Sequence, residues 1–209
     1  MKKQLALALA LAVASFGTLA GELSYTYVEG GYVHADIDGT DDVDGFGLNG
    51  SAALGENFHI FGGYSMLEGS EDGIDTDVDE MRLGLGYNHA INDRTDFVAR
   101  AAYERADASV AVPGFGSFDF DSDGYSIEGG FRGLLSMDGT IEGWAMAGFA
   151  DLDDVEADGI NLQIDEEEDD EFYGRVGLQA KFSPTWGVVG EGRFSSDASQ
   201  YFVGLRASF

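Results

Sequence analysis

The sequence predicts an all-β chain, an up-and-down antiparallel transmembrane β-barrel of ten strands, with eight as the alternative count. Three observations predict it. First, apolar and polar residues alternate with period two along most of the chain. In "FYGRVGLQAKF", Phe172, Gly174, Val176, Leu178, Ala180 and Phe182 share one face, and Tyr173, Arg175, Gly177, Gln179 and Lys181 share the other. Second, no comparable 3.6-residue apolar stripe follows residue 20. Third, the last strand ends on its apolar side, with Tyr201, Val203, Leu205, Ala207 and Phe209. Such an ending suits a strand whose outward face meets lipid.

Residues 1–20 read as a signal peptide. Lys2 and Lys3 precede a short apolar run over 5–16, too short to span a bilayer, and small residues lead to a cut after Ala20. Residues 21–209 then form one domain with no apolar stretch long enough for a membrane helix. Turn signals divide it into strands at 23–36, 44–54, 58–68, 79–91, 96–108, 122–135, 140–152, 171–183, 186–195 and 200–209. Short connectors alternate with longer ones at 37–43, 69–78, 109–121 and 153–170, which places the long connectors at one end. An even strand number puts both termini at the other, periplasmic end. Two strands resist a clean division. In 23–36, an inward Glu29 brings Tyr25 and Tyr27 inward with it unless a β-bulge intervenes; in 140–152, Glu142 and Trp144 share a face.

Charge is distributed unevenly. The chain has 11 basic and 39 acidic residues, and removing the two lysines of the leader leaves a net charge of −30. Segments 36–44, 68–80, 107–123, 151–171 and 195–199 hold 29 of the acids and no lysine or arginine. One end of the meander is therefore intensely negative. It repels nucleic acid and attracts cations. There is no cysteine, and 30 of the 31 glycines follow the leader.

Polar faces opposite aliphatic ones, with short turns at one end and long loops at the other, are the pattern of an outer-membrane barrel, which leaves no edge. The terminal strand, with Tyr201, Gly204 and Phe209, resembles the signal read by the barrel assembly machinery. The blocks "YTYVEGGYVHADIDG", "ENFHIFGGYS", "TDFVARAAYE" and "WGVVGEGRF…YFVGLRASF" resemble the xanthomonad-type small outer-membrane barrels. Some of those are described as activators of plant immunity or secreted signals. The resemblance implies the fold and no catalytic residue. The acidic run 151–171 departs from the family.

Candidate functional residues fall into three groups. Arg82, Arg100, Glu104, Glu128, Arg132, Arg175, Lys181, Glu191, Arg193 and Arg206 lie on expected inward faces, either lining a pore or forming an ion-pair network that fills a narrow lumen. Asp36, Asp38, Asp41 and Asp42, then Asp75, Asp77 and Asp79, then Asp119, Asp121 and Asp123 are carboxylate runs that suit Ca²⁺ or another divalent cation, the only cofactor the sequence suggests. The last run starts like an EF-hand loop, but Gly130 stands where the twelfth-position glutamate belongs. His34, beside Asp36, is the only histidine placed where a hydrolytic base would be needed. Tyr64, Tyr87, Phe97, Tyr103, Tyr125, Phe149, Phe172, Phe182, Trp186, Phe194, Tyr201 and Phe209 fit interfacial belts.

The function expected is a non-enzymatic outer-membrane barrel presenting acidic loops, for envelope structure, adhesion, biofilm or host contact. A small porin-like channel for cations or small solutes is the alternative. Expected partners are outer-membrane lipid, lipopolysaccharide, the barrel assembly machinery and an extracellular or host partner. The expected location is the outer membrane of a Gram-negative cell, with shedding in vesicles as an extension.

Overall fold

A computed structural model describes residues 23–37, 42–71, 74–114, 116–152, 156–157, 160–161 and 170–209. The signal-peptide reading and the candidate ligands Asp38 and Asp41 lie outside the described residues. Alternation becomes ten long strands: β1 (Tyr27–Ile37), β2 (Val43–Leu54), β3 (Phe58–Glu71), β4 (Ile74–Asn92), β5 (Thr95–Val112), β6 (Gly116–Leu134), β7 (Ile141–Leu152), β10 (Asp170–Lys181), β11 (Trp186–Phe194) and β12 (Ala198–Ser208). Two two-residue strands intervene, β8 (Glu156–Ala157) and β9 (Ile160–Asn161), with β8 paired to the outer end of β6. Each long strand pairs antiparallel with the next, and β12 pairs with β1 from Ser208↔Tyr27 to Ala198↔Ile37. The sheet closes at ten strands, not eight.

Both ends of the described chain meet at the short-turn end. The Phe209 amide donates to the Thr26 carbonyl at 2.9 Å, and the Ser24 hydroxyl donates to the Phe209 carbonyl at 2.7 Å. Gly55 and Gly139 supply φ of +82° and +70° in two of these turns.

Within the apolar band, large hydrophobic side chains point out and charged ones point in. On β4 the outward set is Met81, Leu83, Leu85 and Tyr87, and Arg82 lies between them on the inward side. Aromatic pairs mark both rims. Phe58–Tyr87 and Phe97–Phe131 lie toward the short turns, with ring centroids 5.3 and 6.0 Å apart. Tyr103–Tyr125 and Phe149–Phe172 lie toward the other end, at 5.7 and 5.1 Å.

Above the outer rim the polarity inverts. On the outward face Phe46 gives way to Asp44, Met66 to Glu68, Met81 to Asp79 and Tyr125 to Asp123. The inward face of the same strands turns apolar, and Val33, Ala35, Val43 and Leu67 form a buried cluster with Val78 against it. Polar outside and apolar inside is the pattern of a sheet whose outer face meets water. This inversion corrects two expected connectors. Residues 74–78 and 109–112, and 116–121 beyond them, are strand, not loop. Alternate β-branched and aromatic residues pair across them, as at Thr76↔Val110 and Val110↔Phe118. Strand 23–36 is corrected as well: β1 starts at Tyr27 and its register with β2 is unbroken, so Tyr27 and Glu29 both face in without a bulge.

The lumen is narrow, and glycines make room in it. A Cβ on Gly177 would lie 2.2 Å from the Trp144 ring, one on Gly148 2.3 Å from Tyr173, and one on Gly86 2.1 Å from His59. Outward-facing Gly174 has nothing within 4 Å of the same position. Gly177→Ala should therefore destabilise the barrel by about 1–3 kcal/mol through overpacking, whereas Gly174→Ala should be neutral or stabilising. Urea unfolding of the two refolded variants checks this, and equal effects would refute the lumen-packing account.

Candidate functional site

The strand parity carries ten charged candidates into the lumen, where they meet in two tiers. The lower tier lies near the short turns. Arg132 on β6 donates to Glu142 on β7 at 2.7 Å, and Lys181 on β10 pairs with the other oxygen of Glu142. Arg206 on β12 pairs with Glu29 on β1 at 2.5 Å. Arg132, Glu142, Glu29 and Arg206 are all buried.

The middle tier centres on Glu128, whose side chain is fully buried. Arg82, Arg100 and Arg175 reach it from three other strands, at 3.4, 3.2 and 3.2 Å. Arg82 also lies 2.9 Å from Glu104, which Arg193 approaches at 3.2 Å from across the barrel. Arg175 pairs with Glu191 at 2.8 Å, and the Trp144 indole donates to Glu191 at 2.7 Å. Every one of the ten expected lumen residues has an opposite charge within 4 Å. Cations and carboxylates taken out of water in this number require such pairing.

Reasoning from the sequence missed several members of this network. Glu29 and Glu142 sit on the two strands that resisted division, and Glu171 lies 3.9 Å from Arg193. Their aromatic companions explain the mixed parity. Arg206 stacks over Tyr27 at 4.1 Å and over Trp144 at 4.9 Å, Arg132 over Tyr25 at 4.9 Å, and Arg193 over Tyr173 at 4.0 Å. Inward aromatics here are cation–π partners of buried guanidinium groups. Glutamate and aromatic residues on one face signal such a lumen.

Above the middle tier opens a vestibule of about 290 Å³. Glu80 stands in its wall and accepts hydrogen bonds from Ser65 at 2.7 Å and Gln200 at 2.8 Å. Arg82, Arg175 and Arg193 with their carboxylates line its lower part.

Outside the barrel, at the polarity inversion, the acids form a collar. Asp36 lies one residue before the end of β1; Asp75, Asp77 and Asp79 share the outward face of β4; Asp119, Asp121 and Asp123 share that of β6. Asp79, Asp107 and Asp121 lie directly opposite one another on three neighbouring strands. Tyrosines of the rim reach up to this collar: Tyr32 donates to Asp44 at 2.5 Å and Tyr64 to Asp79 at 2.8 Å. No group of three or more histidine or acidic side chains is arranged to hold a metal ion among the described residues. Extended strands spread the carboxylates along a surface instead of converging them.

His34 departs from the expected contact. Its Nδ1 lies 2.7 Å from Asp44 on the neighbouring strand, and its ring stacks 6.3 Å from Tyr201, so its closest carboxylate is Asp44, not Asp36. Tyr201 lies on the outward side of β12 and Gly204 on the inward side, where the backbones of β1 and β12 approach closely, and Phe209 follows the strand's last residue, its amide bonded to Thr26.

The lower tier gives a sharp test. Arg132→Ala leaves a buried Glu142 with Lys181 alone, and should lower the unfolding free energy by about 3–5 kcal/mol. Urea unfolding followed by gel mobility measures this; an unchanged midpoint would show that the pair adds nothing to stability.

No curated protein matches the sequence. Among solved structures, the attachment invasion locus protein Ail of Yersinia pestis is similar at 13% identity and a TM-score of 0.46, over 89% of this chain and 99% of that one. Neisserial surface protein A is similar at 14% identity and a TM-score of 0.48, over 89% and 98%. OprG from Pseudomonas aeruginosa is similar at 14% identity and a TM-score of 0.45, over 92% and 99%. The model of the outer membrane protein beta-barrel domain matches residues 6–162. With its closed sheet, lipid-facing band and charged lumen, the chain belongs to the outer membrane protein beta-barrel family.

Proposed function

We propose that this barrel is a closed, non-enzymatic platform that displays an acidic surface outside the outer membrane, for envelope structure, adhesion, biofilm or host contact. The observation that carries this reading is the two-tier network from Arg132 up to Arg193, in which each cation is paired. A lumen filled by paired charges and stacked rings leaves little path for a hydrated ion. Function then falls to the outside, where the collar stands clear of the membrane on the extensions of β4, β5 and β6. Export by a signal peptide and recognition of the terminal strand by the assembly machinery belong to the same reading. So does kinship with the xanthomonad-type barrels, supported by the sequence blocks that resemble them. Release in vesicles would follow from the membrane location. No catalytic role is assigned to His34, whose contacts are two carboxylates and a ring.

The vestibule favours a second reading, a porin-like channel for cations or small solutes in which the middle tier is a constriction. Single-channel conductance of refolded residues 21–209 in a planar bilayer separates the two, after heat-modifiable gel mobility has established folding. We expect silence. Discrete cation-selective steps would overturn the closed-barrel reading and make Arg175 and Glu191 lining residues.

Cations enter this reading through the row Asp79–Asp107–Asp121. Like charges directly opposite on neighbouring strands repel; Arg105, paired with Asp107, offsets this only in part, and lipopolysaccharide phosphates beside the collar would add to the repulsion. Divalent ions bridging collar and phosphates offset both. Millimolar Ca²⁺ should raise the melting temperature of the barrel reconstituted with lipopolysaccharide, and Asp79→Asn/Asp107→Asn/Asp121→Asn should remove most of the rise. An identical rise in the variant would exclude the collar as the cation's seat.

A further inference from the structure

The lipid-facing wall is not uniformly bulky. From β6 across β7, β10 and β11 to β12 runs an apolar trough of about 710 Å³, within the roughly 300–1,000 Å³ typical of ligand clefts. Register explains its course. Gly133, Gly143, Leu178, Gly190 and Val203 lie directly opposite one another on successive strands. Because barrel strands tilt by about 35–45°, such a row climbs obliquely across the membrane. The trough starts at Thr95 and Leu135 beside the short turns and ends at Tyr201 in the outer rim. Its floor is open at Gly190, where a Cβ would meet only the Phe202 carbonyl, at 3.9 Å.

A cation stands at its lower mouth. Of the nine basic residues after the leader, seven point into the lumen and pair there. Arg105 lies outside and pairs with Asp107 at 2.6 Å. Arg94 is the remaining one. Its guanidinium donates to the carbonyls of Leu134, at 2.9 Å, and Ser136, beside the trough's start, and has no carboxylate within 4.0 Å among the described residues. Arg94 belongs to the turn between β4 and β5, at the end where both ends of the described chain meet, the periplasmic end in the reading proposed above.

We infer that this trough binds one phospholipid of the periplasmic leaflet, with its phosphate on Arg94 and an acyl chain lying over Gly190 and Ala145. Guanidinium matches phosphate in charge and geometry, and the apolar floor matches the chain. A second copy of the barrel fits the face less well. The mature chain carries a net charge of −30, so two collars brought side by side would repel.

Native mass spectrometry of refolded residues 21–209 with added dioleoyl phosphatidylglycerol tests this. The wild type should retain one phospholipid per barrel. Arg94→Gln should weaken retention about tenfold or more, the loss of one charge-assisted contact, while leaving binding of dioleoylglycerol, which lacks the phosphate, unchanged. Gly190→Leu should abolish retention of both, and Ala145→Leu serves the same purpose should Gly190→Leu fail to fold. Absence of retained lipid on the wild type, or equal retention by all variants, overturns the proposal. So does a dimer that Gly190→Leu dissociates, which would assign the trough to a second copy.

Discussion

The pairing of β12 with β1 is the interaction on which the remaining structure depends. Hydrocarbon offers no partner for backbone amides and carbonyls, so a sheet crossing it must leave no edge. The register from Tyr27↔Ser208 to Ile37↔Ala198 provides that closure. It also joins the two ends of the described chain, through Ser24, Thr26 and Phe209, so the final apolar residue becomes part of a continuous wall. Closing ten strands fixes the width of the lumen, and that width sets the problem the inward side chains solve.

The lumen solves it by stacking rings and charges on glycines. Seven cations are held inside, each against a carboxylate, and many also lie over an aromatic ring. Trp144, Tyr173 and His59 occupy the space that side chains on Gly177, Gly148 and Gly86 would need. High glycine content thus has a lumen-side cause: a narrow barrel lined by large residues needs small ones opposite them. Charge pairing and cation–π stacking act together, because a guanidinium pressed against a ring keeps its edge free for a carboxylate.

Alternation made the fold readable. Arg132, Arg175 and Arg193 each sit between a glycine and an outward apolar residue, Phe131, Val176 and Phe194 respectively, so their inward parity follows from period two alone. Ten strands could be counted because turn residues punctuate them. Two features resisted reading for physical reasons. The extensions of β4 and β6 looked like loops because acids occupy every second position, and acid-rich runs are normally solvated connectors; that of β5 leads straight into the turn residues Pro113 and Gly114. Their strand character lies in the intervening Thr76, Val78, Val110 and Phe118, which pack only when three strands are brought into register. The inward placement of Tyr27 and Trp144 was equally hidden, since an aromatic in a membrane strand suggests a belt until the arginine beneath it is located. Which carboxylate meets which guanidinium depends on register across several strands, information that no local pattern contains.

The inversion of polarity at the outer rim has a consequence for how the barrel reaches its resting place. Strands that enter from the periplasmic side must carry Asp75, Asp77, Asp79, Asp119, Asp121 and Asp123 through hydrocarbon, where ionised side chains are costly. Once across, the same residues hydrate, and return would require dehydrating them again. The collar thereby works as a one-way catch. It makes withdrawal of the β4–β6 hairpins costly once they have emerged, and it marks the level of the wall that stands at the rim of the bilayer.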